Sequence, residues 1–133
     1  MLELALQAHR EEGILQKEIS ENQAVSVKYL DHIIADLKAA GLIANAGGKK
    51  SGYRLNRPAE EISIFDIYHA FEDELAIIDC LHEHGHCPMK KICVLKDYWS
   101  GLNQTIRSSM ESQNLKDLVD KTRVAEELVK TDP

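Results

Sequence analysis

Residues 16–55 read QKEISENQAVSVKYLDHIIADLKAAGLIANAGGKKSGYRL, and this stretch decides the fold. Ser26 is a good N-cap for a helix whose apolar positions Leu30, Ile33, Ile34 and Leu37 follow the i, i+3, i+4, i+7 spacing and stop at Gly41. Ahead of it, Gln16 to Asn22 predicts a short helix of about two turns, anchored by Ile19 alone. Behind it, Leu42 to Ala46 and Tyr53 to Leu55 predict two strands around the tip Gly47-Gly48-Lys49-Lys50-Ser51-Gly52. Upstream, Leu2, Leu4, Ala5, Leu6 and Ala8 predict a helix that begins with no polar cap. Helix, short helix, turn, capped helix and basic hairpin is the order of a winged helix-turn-helix, so the chain is expected to be mostly α with a small β wing.

That order suits double-stranded DNA. A helix N-terminus offers unpaired N–H groups and a positive dipole to phosphate, and short polar side chains in its first turn reach base edges. Ser26, Lys28 and Tyr29 occupy this turn, and Lys49 and Lys50 crown the hairpin. Singly, these residues read as a cap and solvated loop lysines; in this order they read as a DNA-binding surface. Charge agrees locally. The chain has 16 Lys+Arg against 22 Asp+Glu, a net −6, yet residues 1–57 hold 8 basic and 7 acidic side chains and the remainder 8 and 15. Lys49, Lys50, Arg54 and Arg57 form a basic segment with no acid among them. Phosphate contact depends on the local field, so overall acidity argues only against indiscriminate binding.

Pro58 stands at this charge boundary and is read as a hinge, dividing a DNA-binding domain, 1–57, from a second region, 58–133. That region opens with Ser63 and Asp66 as a capping-box pair before Ile64, Ile67, Tyr68 and Phe71, whose aromatics are expected in the core. Leu95, Trp99, Leu102, Ile106 and Met110 then lie at steps of 4, 3, 4 and 4, a long helix with a narrow apolar stripe. So small a chain has few helices left to cover it, so this is read as a dimerisation helix. Asn114 is placed as the cap of a last helix carrying Leu115, Leu118 and Val119, with Asp117 in its first turn.

Between these helices lies Cys80-Leu-His-Glu-His-Gly-His-Cys87-Pro-Met-Lys-Lys-Ile-Cys93. Three thiols within fourteen residues, on a segment bent by Gly85 and Pro88, can converge on one soft metal centre. The spacing is not that of a zinc knuckle. An iron–sulfur cluster, 2Fe–2S or 4Fe–4S, on Cys80, Cys87 and Cys93 with one weaker ligand is one reading. Zinc on the three thiols and one of His82, His84 or His86 is the alternative.

These residues carry a family resemblance over nearly the whole chain. Ile19 to Leu42, with Val25-Ser26-Val27-Lys28-Tyr29-Leu30 and Ala39-Ala40-Gly41-Leu42, is similar to the recognition-helix region of the IscR/NsrR regulators, the Rrf-two family. Ser51-Gly52-Tyr53-Arg54-Leu55 resembles their wing, Cys80, Cys87 and Cys93 their cluster-binding triad, and Asn114-Leu115-Lys116-Asp117-Leu118 their closing motif. The resemblance implies a homodimeric bacterial transcription regulator that binds a dyad-symmetric operator and senses iron–sulfur status, nitric oxide or redox conditions through the cluster. It also implies about a dozen polar and basic residues ahead of Met1, a stretch from which NsrR-like members supply an acidic fourth ligand to the partner subunit. Lys96 stands where the IscR-like branch has a histidine, which favours an NsrR-like arrangement or a loop histidine. Gly47 stands where many members carry a wing arginine; Lys49 or Lys50 replaces its charge but not its geometry.

Other classes fit less well. Apolar runs are short and no basic-then-apolar leader opens the chain, so no membrane partner is expected and the cysteines are assigned to the reducing cytoplasm. An enzyme is disfavoured because no nucleophile or acid–base pair has an identifiable activating neighbour. A zinc-stabilised or metal-free helix-turn-helix module that binds protein rather than DNA is the alternative function.

Overall fold

A computed structural model describes residues 1–48 and 51–131; Lys49 and Lys50, placed at the wing tip by the sequence, lie outside the described residues. The helices are α1 (Leu2–Leu6), α2 (Gln16–Gln23), α3 (Val27–Ala39), α4 (Ile64–His69), α5 (Leu95–Ser112) and α6 (Leu115–Thr131). Two strands, β1 (Ile43–Asn45) and β2 (Tyr53–Leu55), pair antiparallel with Ile43 opposite Leu55, Ala44 opposite Arg54 and Asn45 opposite Tyr53. Single 3-10 turns occur at Ala59–Glu61 and Asp79–Leu81. The fold is mostly α with a small wing.

Helix α3 forms where the spacing predicts it. The Ser26 hydroxyl accepts the Tyr29 N–H at 3.1 Å, satisfying a donor that the first turn leaves unpaired. Leu30, Ile34 and Leu37 are buried on one face. They join Leu4, Ala5, Ile14, Ile19, Leu42, Ile43, Ile62, Leu115 and Val119 in one hydrophobic core that crosses the Arg57/Pro58 boundary. Ile14, Leu42, Ile62 and Leu115 are almost fully enclosed, each contributing about 1.5–3 kcal/mol by leaving water.

Two long-range pairings build this core. The connector after α1 crosses β2 as a third, bridge-length strand: Ile14 N–H donates to the Tyr53 carbonyl at 3.0 Å, and Tyr53 N–H to the Ile14 carbonyl at 2.8 Å. Gly52 N–H donates to the Glu12 carbonyl at 2.8 Å. A side chain at Gly52 would meet the Ile14 backbone, so glycine is required just ahead of Tyr53 where β2 begins. The second pairing is a bridge between Ser63 and Asn114. There two reciprocal caps sit side by side. The Ser63 hydroxyl and Asp66 carboxylate each accept the other's backbone N–H at 2.9 Å, and the Asn114 side-chain Oδ1 and Asp117 carboxylate do the same at 3.0 Å. Ile62 and Leu115 flank this bridge and are buried beneath it.

The second region departs from expectation at its aromatics. Phe71 is exposed, because α4 ends at His69 and the chain turns away. Phe65 and Tyr68 are only half-buried; Phe65 lies under the Arg107 guanidinium at 4.6 Å and stacks on His69. None of α5 is fully buried. Leu95 and Leu102 are exposed on its stripe and Trp99, Ile106 and Met110 half-buried, with α4 packed against the helix. On α6, Leu115 and Val119 reach the core while Val124, Leu128 and Val129 are exposed. Among the described residues no helix is long and apolar enough to cross a membrane.

Candidate DNA interface and cysteine loop

The α2–turn–α3 unit positions the first group of candidate residues. Ala24 takes a left-handed conformation, φ 51°, to turn the chain, and Val25 N–H donates to the Ser20 carbonyl at 3.1 Å. Lys28 and Tyr29 then project from the first turn of α3 into solvent, Tyr29 with 59% of its surface exposed. The Ser26 oxygen is engaged as cap, leaving its hydroxyl hydrogen to donate. Gln16, which the sequence reading passed over, ties α2 to α3 by donating to Asp31 Oδ1 at 2.7 Å and to the Val27 carbonyl at 3.1 Å. His32 was also passed over. It is exposed one turn beyond Lys28, and the i, i+4 spacing on the polar face was the available signal.

The wing places Arg54 outward, because Tyr53 and Leu55 turn toward the core and strand side chains alternate. Its base is fastened to α3: Lys38 donates to Asn45 Oδ1 at 3.2 Å and lies over the Tyr53 ring, and Asn56 Nδ2 donates to the Gly41 carbonyl at 3.0 Å. These contacts seat the base of the wing against the C-terminal end of α3. Arg57 lies 4.0 Å from Asp66, linking the end of the wing to the first turn of α4.

The cysteines occupy one loop. Cys80 lies in the 3-10 turn, Cys87 opens the turn closed by Lys90 N–H at 3.1 Å, and the Cys93 carbonyl accepts Lys96 N–H at 3.3 Å as α5 begins. All three are half-buried and free of disulfide bonds. Gly85 packs its backbone against the Asp79 carbonyl and Cys80, so a Cβ there would strike the turn that carries Cys80. Glu74 fastens the loop from outside: its carboxylate accepts Glu83 N–H at 2.9 and 3.0 Å and lies 3.2 Å from His82 Nδ1. The Glu83 backbone bond, and then His82, holds the Glu74 carboxyl below its usual range. His82 is thereby engaged by a carboxylate, leaving His84 and His86 as the loop's exposed imidazoles.

Among the described residues, no three His, Cys, Asp or Glu side chains are grouped to hold a metal ion. The thiols share a loop without converging. In kind the donors fit an iron–sulfur cluster: three free thiols on one loop, with one ligand to come from elsewhere. Nothing in the geometry favours zinc.

Known proteins agree with this architecture. A family model described as an iron-dependent transcriptional regulator, Rrf2, matches residues 1–121. Protein rrf2 of Nitratidesulfovibrio vulgaris is 30% identical over 119 residues, covering 90% of this chain and 79% of that protein. Among solved structures, T. potens IscR superposes with a TM-score of 0.71 at 28% identity, covering 93% of this chain and 82% of that one. CymR, the global cysteine regulator of B. subtilis, superposes at 0.70 with 25% identity, covering 90% and 87%. By sequence and by fold, this chain belongs to the Rrf2 family of transcriptional regulators.

Proposed function

We propose that this protein is a homodimeric regulator that binds a dyad-symmetric DNA operator and senses redox conditions, nitric oxide or iron–sulfur status through a cluster held by Cys80, Cys87 and Cys93. The observation that carries this reading is the loop itself: three free, half-buried thiols on a segment that runs straight into α5, in a family described as iron-dependent. An iron–sulfur cluster bound there supplies a redox-active centre. The chain's own residues supply the rest. Ser26, Lys28 and Tyr29 face the major groove, with His32 beside them. Arg54, Lys49 and Lys50 contact the backbone. The apolar stripe of α5 meets a second copy, so that two recognition helices are set about 34 Å apart on successive turns of DNA.

Coupling follows from connectivity. Cys93 lies two residues ahead of α5, α5 packs on α4, and α4 meets the wing through Asp66 and Arg57. A loop that changes shape shifts α5 and with it the spacing of the two half-site readers.

The deciding measurement is the absorption spectrum of protein purified without oxygen, with iron, sulfide and zinc quantified on the same sample. Brown protein with matching iron and sulfide is expected. Colourless protein carrying stoichiometric zinc would overturn the sensor reading, and colourless metal-free protein would leave DNA binding without this switch.

For the interface, replacing Lys49 and Lys50 by alanine is expected to weaken binding to all duplexes and to lower the slope of log affinity against log salt by up to about two units. An unchanged slope would place the wing tip off the DNA.

A further inference from the structure

Asn103 is a polar residue inside an apolar stripe. It stands four residues after Trp99 and three before Ile106, half-buried on the face of α5 that carries both. A half-buried amide is retained there at a cost unless its donor and acceptor are both used. They are. Asn103 Oδ1 accepts Ile77 N–H at 3.1 Å, and Asn103 Nδ2 donates to the Leu75 carbonyl at 2.8 Å. Residues 74–77 have no regular secondary structure, so this amide supplies bonds that no helix or strand provides.

The same short segment is gripped at its other sides. The Tyr68 hydroxyl of α4 donates to the Glu74 carbonyl at 3.4 Å. The Glu74 carboxylate binds the backbone of Glu83 and the ring of His82. Residues 74–77 are thus the junction where α4, α5 and the cysteine loop meet, and the 3-10 turn bearing Cys80 lies between the Asn103 contacts and the Glu74 contacts. Asn103 is the side chain by which α5 holds this junction with two hydrogen bonds.

We propose that Asn103 is a positioning residue for the cysteine loop: its amide registers residues 75–83 on the long helix, so that a change in the loop's ligand state is transmitted to α5. This rests on the sensor reading above. Leucine at 103 keeps the volume and makes neither bond. Aspartate keeps the acceptor for Ile77 but cannot donate to Leu75, and its charge faces the Leu75 carbonyl.

The test uses the full chain as wild type, Asn103→Leu and Asn103→Asp, each with its cluster and after chelator treatment. The DNA is a palindromic duplex selected from random sequence with the wild-type protein. Two readouts are taken: amide exchange across residues 74–83, and the ratio of duplex affinities between loaded and stripped protein. In Asn103→Leu, exchange is expected to rise by about tenfold or more. Stripped-protein affinity should stay within about twofold of wild type while the loaded-to-stripped ratio falls toward one. Asn103→Asp should give an intermediate ratio, and it decides the matter if the leucine variant does not fold. Unchanged exchange would show that the amide does not hold the segment, and faster exchange with an unchanged ratio would make Asn103 merely structural; either result overturns the proposal. A wild-type protein that takes up no cluster, or whose ratio is already one, would instead sink the sensor reading and the coupling with it.

Discussion

Alanine at Gly52 should destabilise the protein by about 3 kcal/mol, the upper end of the overpacking range, and lower its melting temperature by about 10 °C. The cause is backbone against backbone. A Cβ built on Gly52 lies 2.6 Å from the Ile14 nitrogen and closer still to its carbonyl. No rotamer change relieves that contact, because neither partner is the end of a flexible side chain. The connector must lift from β2, breaking the paired bonds between Ile14 and Tyr53 and loosening Ile14 itself, one of the most enclosed side chains in the core. Urea unfolding read by circular dichroism measures the loss. A change below about 1 kcal/mol would mean that residues 12–14 are not seated on the wing. The wing is fastened to α3 through Lys38 and Asn56, so duplex affinity should fall together with stability.

The second large effect is chemical. Cys87→Ala should reduce bound iron and sulfide to background while leaving helix content intact, because Cys87 is half-buried, lies outside the hydrophobic core and contributes to its local turn through its backbone carbonyl. Its cost in stability should stay within about 1 kcal/mol. Duplex affinity should move to that of wild-type protein stripped of its cluster, a change on the order of tenfold for a coupling of ordinary size. Metal and sulfide analysis with a titration of the selected duplex checks both parts. Wild-type iron content in the variant would remove Cys87 from the ligand set. Wild-type affinity with iron lost would separate the cluster from DNA binding.

Several elements were legible because their causes lie within four residues of one another. Ser26 caps α3, Leu30, Ile34 and Leu37 share its buried face, Ser63 with Asp66 and Asn114 with Asp117 start α4 and α6, and the glycine-rich tip separates β1 from β2. The outward, solvent-facing placement of Lys28, Tyr29 and Arg54 follows from the same local rules. His32 was equally local and was passed over because a lone histidine on a polar face carries little weight by itself.

The contacts the reading missed are those between distant segments. Phe71 sits at helical spacing yet is exposed, because where α4 ends is decided by how the chain must turn toward α5. His82 had equal standing with His84 and His86 until Glu74, eight residues away, engaged it.

Helix positions, the caps at Ser26, Ser63 and Asn114, the hairpin, the outward residues of the first turn of α3 and the grouping of three thiols on one loop all follow from the order of residues. Periodicity and capping are nearest-neighbour effects that the order of residues states directly. Only the tertiary structure decided that Ile14 lies across Tyr53, that Ser63 meets Asn114, and that Asn103 holds Leu75 and Ile77 from 28 and 26 residues away. These pairings join unpaired backbone groups and buried apolar surface across the chain. Which groups meet is set by the packing of whole elements, where the entropy of closing a loop is outweighed only when the entire core forms together.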